Sequence, residues 1–443
     1  MNRHWVLLAV AGLLVSGFTA CGGGGTSSPP VSGTPIPSNF TETSPNPTGT
    51  LETFSPTQVS NSNPFFTPLG TNSRTCNTCH VASDGWSINT VDLQQRFQST
   101  QGSDPVFQVL DGANCPSDDV STLAAATAAY SQLLNFGLIR MSLPVPADAD
   151  FTIASITDPY QCSETTVTQP SLYRRPLPAT NLKFLSAIMW DGREPDLKTQ
   201  AMDATMVHTA PTTPPTDAEL TQIVSLESAL FTAQSVDNQA GDLTAQGANG
   251  GPVFLSTQAF SPGINSGGAF SPNVFTLYTN WASATGTNGA AQQSVARGEV
   301  LFNTLPILIS IVPGFNDVQG QQVIMGTCST CHNAPNTGGD SLPDMMNIGT
   351  TSPTPTLPSY LINCNDGTQL VTTDLGRAMV TGKCADLSKF KIPSMRGLAG
   401  RAPYFHNGSA ATLMEVVNFY DQRFNMLLTD DEKADLVAFM NTL

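Results

Sequence analysis

Charge is scarce in this chain, and positive charge scarcer still. Only 12% of residues are charged, and 18 lysines and arginines face 34 acidic residues for a net charge of −16. Phosphate backbones are held by clustered Lys and Arg, so this balance excludes nucleic acid and suits small molecules or basic protein partners. Histidine is rarer: the chain has five, and none lies between His80 and Trp190. Long apolar runs are also lacking. The one candidate, "WVLLAVAGLLVSGFTA" at residues 5 to 20, falls short of the roughly 20 residues that span a bilayer and follows Arg3 and His4, which gives residues 1–20 the layout of a signal peptide.

Glycine and proline, by contrast, are plentiful at 36 and 33, which points to a loop-rich protein. A chain of 443 residues exceeds one hydrophobic core, so two domains are expected. The apolar run ends "FTAC", which is similar to a bacterial lipobox with Cys21 as the lipidated residue, although Phe18 is unusual there and ordinary signal cleavage stays open. Residues 21–65 are rich in Gly, Ser, Thr and Pro and read as a disordered tether. The expected location is therefore the periplasmic side of a bacterial membrane, reached by export and held by a lipid anchor alone.

Two short stretches carry the chemistry. "RTCNTCH" and "GTCSTCH" each place two cysteines and a histidine within five positions, as Cys76, Cys79, His80 and Cys328, Cys331, His332. Zinc would need four ligands at close spacing, and the two cysteine pairs lie far apart with one adjacent histidine each. A thioredoxin-like site needs a strand-to-helix context that these Gly/Pro-rich surroundings do not supply. Cys-x-x-Cys-His is the attachment signature of c-type haem: one helical turn presents both thiols to the vinyl groups of a porphyrin, and the adjacent imidazole ligates the iron. Chance placement at this composition yields about 0.002 such triplets, so two in one chain identify two covalently bound haems with His80 and His332 as iron ligands. Of the nine cysteines, Cys115, Cys162, Cys364 and Cys384 remain; in an exported chain their even number and proximity favour the disulfides Cys115–Cys162 and Cys364–Cys384.

The pattern along the chain is mainly α. Apolar spacing predicts helices over 119–139, capped by Asp119 or Ser121, over 217–234, over 292–303 ahead of the second triplet, and after a Thr429/Glu432 capping box at the C-terminus. Residues 235–272 read as a long loop. The expected architecture is two cytochrome c-like haem domains with long loops, 66–290 and 291–443, behind the disordered tether.

Three further stretches, "YRRPLPATNLKFLSAIMWDGREPDLKTQA" from 173, "FKIPSMRGLAGRAPYFHNGSAATLMEVVNFY" from 390 and "RFNMLLTDDEKADLVAFMNTL" at the end, resemble the bacterial di-haem cytochrome c peroxidase superfamily over most of the chain from about residue 70. The resemblance implies that Trp190 of "WDGR" lies between the haems. Counting from His406 of "PYFH", it also implies that Tyr420 falls where the peroxidases carry an axial methionine; a tyrosine there is similar to the MauG-type members. Tyrosinate is a hard anionic ligand that favours oxidised iron, whereas methionine sulfur raises the reduction potential. The family's distal glutamate would fall on Ala210 and is missing, while Gln200 matches a distal glutamine of the MauG type. With no histidine between His80 and Trp190, the usual bis-His first haem is excluded. His208 is the nearest candidate for acid–base work on peroxide, though His208, Met141 or Met189 can also serve as an axial ligand. His406 is expected beside the C-terminal haem, and Arg193 and Arg396 are candidates to pair haem propionates. Calcium between the domains is a further cofactor of many relatives, but no acidic calcium-loop pattern stands out.

These residues imply an oxidoreductase that reduces hydrogen peroxide or a similar small oxidant, or uses it to oxidise a substrate, with electrons passing between the haems and a redox partner protein. A non-catalytic di-haem electron carrier and a haem-dependent oxygenase of hydrophobic substrates are the alternatives.

Overall fold

Strands as well as helices build the protein, 33% helix to 17% strand, so the expectation of a mainly α chain gives way to a mixed, mostly helical one. The computed structural model describes residues 39–60, 62–260, 263 and 270–443. Cys21, the signal segment and the first part of the tether lie outside the described residues. The described end of that tether is not loose chain: Phe40–Asn46 and Gly49–Ser55 form an antiparallel hairpin. Its inner strand pairs with Phe231–Asp237, and Leu51, Thr53 and Phe54 are buried, so both faces of that strand are covered. Pro45 is tolerated because its strand is the outer one of the four-stranded sheet, where a missing N–H faces no partner.

Several expected helices are shorter or broken. The 119–139 helix divides into Leu123–Ala129 and Ser131–Phe136, and its cap is Thr122, not Asp119 or Ser121. The helix expected over 217–234 is Asp217–Ala229, after which Phe231–Asp237 is drawn into the sheet with the hairpin. Within the expected loop 235–272 lie the rest of that strand, its partner Gly241–Asp242 and the helix Gly251–Thr257.

The C-terminal half follows its sequence signals. Helix Gly289–Thr304 precedes the second triplet, and Thr429 and Glu432 cap the helix Asp430–Asn441 reciprocally. These two helices pack face to face. A Cβ at Gly298 would run into the Asp435 carbonyl, so glycine sets their close approach. Their core takes Leu436, Phe439, Met440 and Leu443 together with Val274 to Trp281. Residues on either side of 290 also meet in a sheet in which Ser359–Cys364 pairs with Phe151–Thr157, and in a buried ion cluster in which Arg174 contacts Asp191 at 2.6 Å and Asp374 at 2.7 Å.

Both disulfides form, Cys115–Cys162 and Cys364–Cys384, closing separations of 47 and 20 residues. On the chain-entropy account, replacing the first pair by alanine should lower stability by about 4 kcal/mol and the second by about 3 kcal/mol. Urea unfolding of the two double variants checks that order. No helix among the described residues is long and apolar enough to cross a membrane.

Candidate haem sites

Each triplet sits in the same local frame, and the sequence shows why. In "TCNTCH" and "TCSTCH" the threonine before the first cysteine is bonded to the threonine three residues on: Thr75 N–H donates to Thr78 Oγ1 and Thr327 N–H to Thr330 Oγ1, each at 2.9 Å. This closes one tight turn that carries both thiols, and the histidine follows it. His80 N–H donates to the Cys76 carbonyl and His332 N–H to that of Cys328. Both imidazoles then place Nδ1 against a backbone carbonyl, Trp86 at 3.0 Å and Gly338 at 2.5 Å. Burial keeps both rings neutral by lowering their pKa. A neutral ring that donates through Nδ1 has its Nε2 lone pair free for a metal. None of the four cysteines is in a disulfide, and burial pushes Cys76, Cys328 and Cys331 up to about 12 and raises Cys79.

Each triplet opens on a cavity. The larger, about 240 Å³, is lined by Cys328, Cys331 and His332 and by one face of the helix Leu413–Phe424: Leu413, Val416, Val417, Tyr420 and Phe424. Their spacing of three and four residues is that of a single helix stripe. The Tyr420 ring lies parallel to Phe424 at 6.2 Å, and its hydroxyl has no hydrogen bond among the described residues. Burial, and then the thiols of Cys331 and Cys328, push that phenol well above its ordinary value. His406 lies on the same wall, stacked on Phe390 at 4.1 Å, and burial drives it down to about 4, so it is neutral. Its Nε2 is buried without a partner among the described residues.

The smaller cavity, about 180 Å³, is lined by Cys79 and His80 and by the polar groups Gln200, His208, Arg193 and Glu227. Leu197, Gln200, Ala204 and His208 lie on one stripe of the helix Leu197–His208. Met141 and Met189 also reach this wall. Arg193 is held by Asp191 at 3.0 Å and by Glu194 at 3.5 Å. Glu227 is buried with an unpartnered Oε2, and burial raises it to about 8.

The two cavities share a wall. Trp190, the run Arg175 to Pro178, Lys391, Pro393, Ser394 and Arg401 line both. Trp190 donates its Nε1–H to the Arg175 carbonyl at 2.8 Å, and its ring meets His406 edge-on at 6.2 Å. Arg175, Arg401 and Lys391 are buried and make no ion pair among the described residues; their hydrogen bonds go to backbone carbonyls such as Phe136, Ser394 and Ala187. Burial works against all three charges, lowering Arg175 to about 9, Arg401 to about 10 and Lys391 to about 8. Uncompensated buried cations cost several kcal/mol each, so this wall calls for anions. Haem propionates are such anions. The donor set thus fits two c-type haems: paired thiols, a neutral imidazole beside each pair, and buried cations between.

Arg396, the other arginine expected to pair a propionate, is buried but lies off both cavity linings; its Nη2 donates to the Gly251 carbonyl at 3.3 Å, and its Nε and Nη1 have no hydrogen-bond partner among the described residues. The cations that do face the cavities stand in the quoted stretches "YRRPLP", "FKIP" and "GLAGRAPYFH", where a basic residue beside proline or glycine was the available signal. Asp111, whose carboxylate meets His208, carried no local signal at all.

No family model matches the chain. Among curated proteins it is 35% identical over 133 residues to a cytochrome-c peroxidase of Denitromonas iodatirespirans, covering 27% of this chain and 36% of that protein. It is 33% identical over 130 residues to the cytochrome c551 peroxidase of Nitrosomonas europaea, covering 29% and 34%. The chain thus matches about a third of the length of these relatives. Among solved structures, a MauG-like protein associated with microbial copper homeostasis aligns with a TM-score of 0.37 at 15% identity, over 86% of this chain and 87% of that one.

Proposed function

We propose that this chain, a distant homologue of the bacterial di-haem cytochrome c peroxidases, is an exported di-haem oxidoreductase that reduces peroxide or uses it to oxidise a substrate. The observation that carries the reading is the pair of cavities, each with a Cys-x-x-Cys-His turn on its wall, meeting at Trp190 and the Arg175–Pro178 run.

Cys76 and Cys79 would hold one haem with His80 as iron ligand; Cys328 and Cys331 would hold the other, between His332 and Tyr420. Bound there, the haems supply the electrons that reduce peroxide. The residues of the chain do the rest. Arg175, Arg401, Lys391 and Arg193 bind and orient the propionates. Gln200 and His208 stand in the smaller cavity as donors and acceptors for a small polar oxidant, with His208 as the group that moves its proton. Tyr420 offers the larger cavity a hard oxygen ligand. Trp190, with its N–H committed to Arg175, bridges the shared wall. The polar lining of the smaller cavity favours this reading over a pure electron carrier, whose two irons would both be closed by axial ligands. The two disulfides suit an oxidising compartment, and Cys21 with its tether would anchor the protein there to a membrane. A redox partner protein would deliver or accept the electrons.

Hydrogen peroxide mixed with the holoprotein should change the haem absorption within milliseconds to seconds, and the ferric resting state should give one high-spin and one low-spin paramagnetic resonance signal. Two low-spin signals and no response to peroxide would leave only an electron carrier.

A further inference from the structure

We propose that Asp111 and Arg74 are positioning residues for His208: they form a chain Arg74–Asp111–His208 that commits the imidazole Nδ1 to a carboxylate and leaves Nε2 to take a proton in the smaller cavity. This rests on reading that cavity as the one that meets peroxide.

The geometry is continuous. Arg74 and Asp111 are both 2% exposed. Arg74 Nη1 reaches Asp111 Oδ1 at 2.6 Å and Oδ2 at 2.7 Å, while its Nε and Nη2 donate to the Pro105 and Val106 carbonyls at 2.9 and 2.7 Å. Asp111 Oδ2 is 2.6 Å from His208 Nδ1. The His208 carbonyl is pinned in turn by Asn72 Nδ2 at 2.8 Å and by Arg74 Nη1 at 3.3 Å. Main chain and ring are thus both fixed from the segment that leads into the first triplet, since Arg74 stands two residues before Cys76.

The charges balance as the role needs. Burial alone would raise the Asp111 carboxyl, but the hydrogen bond with His208 and the Arg74 cation hold it below the usual carboxylate range. In the tautomer that donates Nδ1–H to this carboxylate, the imidazole keeps a lone pair at Nε2. Nε2 would accept a proton from one oxygen of hydrogen peroxide and return it to the other, which leaves as water as the O–O bond breaks; the bound haems would supply two electrons, and two further protons would carry the remaining oxygen to a second water. The proton that His208 handles is moved, not consumed. An orphaned imidazole would instead divide its time between two tautomers and several ring positions.

The test uses holoprotein carrying two haems by mass. Asp111→Asn offers an N–H to Nδ1, which turns the ring to the tautomer with Nε2–H and removes the base. Its peroxide reaction should slow about 100-fold or more, within the range of general acid–base catalysis. Cyanide enters as its neutral acid and must lose a proton, so its binding should slow similarly, whereas nitric oxide, which needs no base, should bind within about threefold of wild type. A merely structural role would slow both ligands alike and overturn the proposal. Asp111→Asn/His208→Gln should be no slower than His208→Gln alone, since Asp111 acts through His208; additive losses would also overturn it. So would conversion of a low-spin to a high-spin signal in His208→Gln, which would make His208 an iron ligand. If Asp111→Asn fails to accumulate, Asp111→Glu keeps the carboxylate at the wrong reach and should show the same split between cyanide and nitric oxide in smaller measure; no split overturns the idea. A wild type inert to peroxide that still shows the split would sink the functional reading and leave the positioning role standing.

Discussion

Arg175→Met should lower the melting temperature of the holoprotein by roughly 5 to 10 °C and shift the reduction potentials of both haems downward in a single variant. Both effects follow from where this guanidinium points. Its Nη1 donates to the Phe136 carbonyl at 3.0 Å, and its Nη2 donates to those of Ile88 at 2.5 Å and Arg401 at 3.0 Å. Methionine fills much of the volume and supplies no donor, so three buried carbonyls lose their partner at about 1 to 3 kcal/mol each. Deleting an unpaired buried cation would partly offset that loss, but with propionates bound the cation is paired and the loss is full. The site is also closely fitted: Gly137 sits at φ 63°, and a Cβ there would collide with Arg175 Nη1, so Gly137→Ala should mimic part of the defect. The sign of the potential shift is set by charge. A nearby cation stabilises the reduced haem, which carries one more negative charge, so removing it lowers the midpoint, by about 1 kcal/mol per electron at an effective dielectric constant of about 20. Because Arg175 lines both cavities, spectroelectrochemical titration should show both midpoints moving. Movement of one alone would mean that the cation serves a single haem.

That wall also shows what could be read in the sequence and what could not. The triplets, the Thr429/Glu432 cap and both disulfide pairings are local or short-range statements, written in side-chain chemistry at fixed spacing. The stripe Leu197, Gln200, Ala204, His208 is likewise a matter of helical period. The hairpin over 40–55 was hidden because its residues are mostly polar: Ser and Thr read as tether, and pairing with Phe231–Asp237 overrides that composition. The same pairing ended the 217–234 helix early, since Phe231 to Gln234 is apolar enough for either state and only a partner strand decides. Asp111 shows the limit most plainly. Its partners Arg74 and His208 lie 37 and 97 residues away, and neither spacing carries a period. Arg396 stands in one of the quoted stretches and is buried, yet its place off both cavity linings is set by tertiary packing that no local spacing encodes.

Tyr420→Phe should change the ferric spectrum of one haem only, converting a low-spin signal to high spin with no change in haem count and little change in stability. The small stability cost is expected because the hydroxyl has no hydrogen bond among the described residues, so phenylalanine keeps the contacts with Phe405, Phe419 and Phe424 and leaves nothing unpaired. The spectral effect should be large because the oxygen stands on the cavity wall that also carries His332. Burial and the neighbouring thiols oppose ionisation of this phenol, so a phenolate can persist there only if a cation offsets it. In the proposed site ferric iron would be that cation, which would tie the acidity of Tyr420 to the oxidation state of the metal: oxidation would favour the bound phenolate, and reduction would weaken it. Losing the ligand therefore removes a preference for the oxidised state, and the midpoint of that haem should rise. This is opposite in sign to Arg175→Met and confined to one site. Tyr420→Met, which offers a sulfur from the same helix stripe, should raise it further while restoring a low-spin signal. An unchanged spectrum in Tyr420→Phe would return Tyr420 to the role its neighbours Val416 and Val417 play, an apolar face of an amphipathic helix.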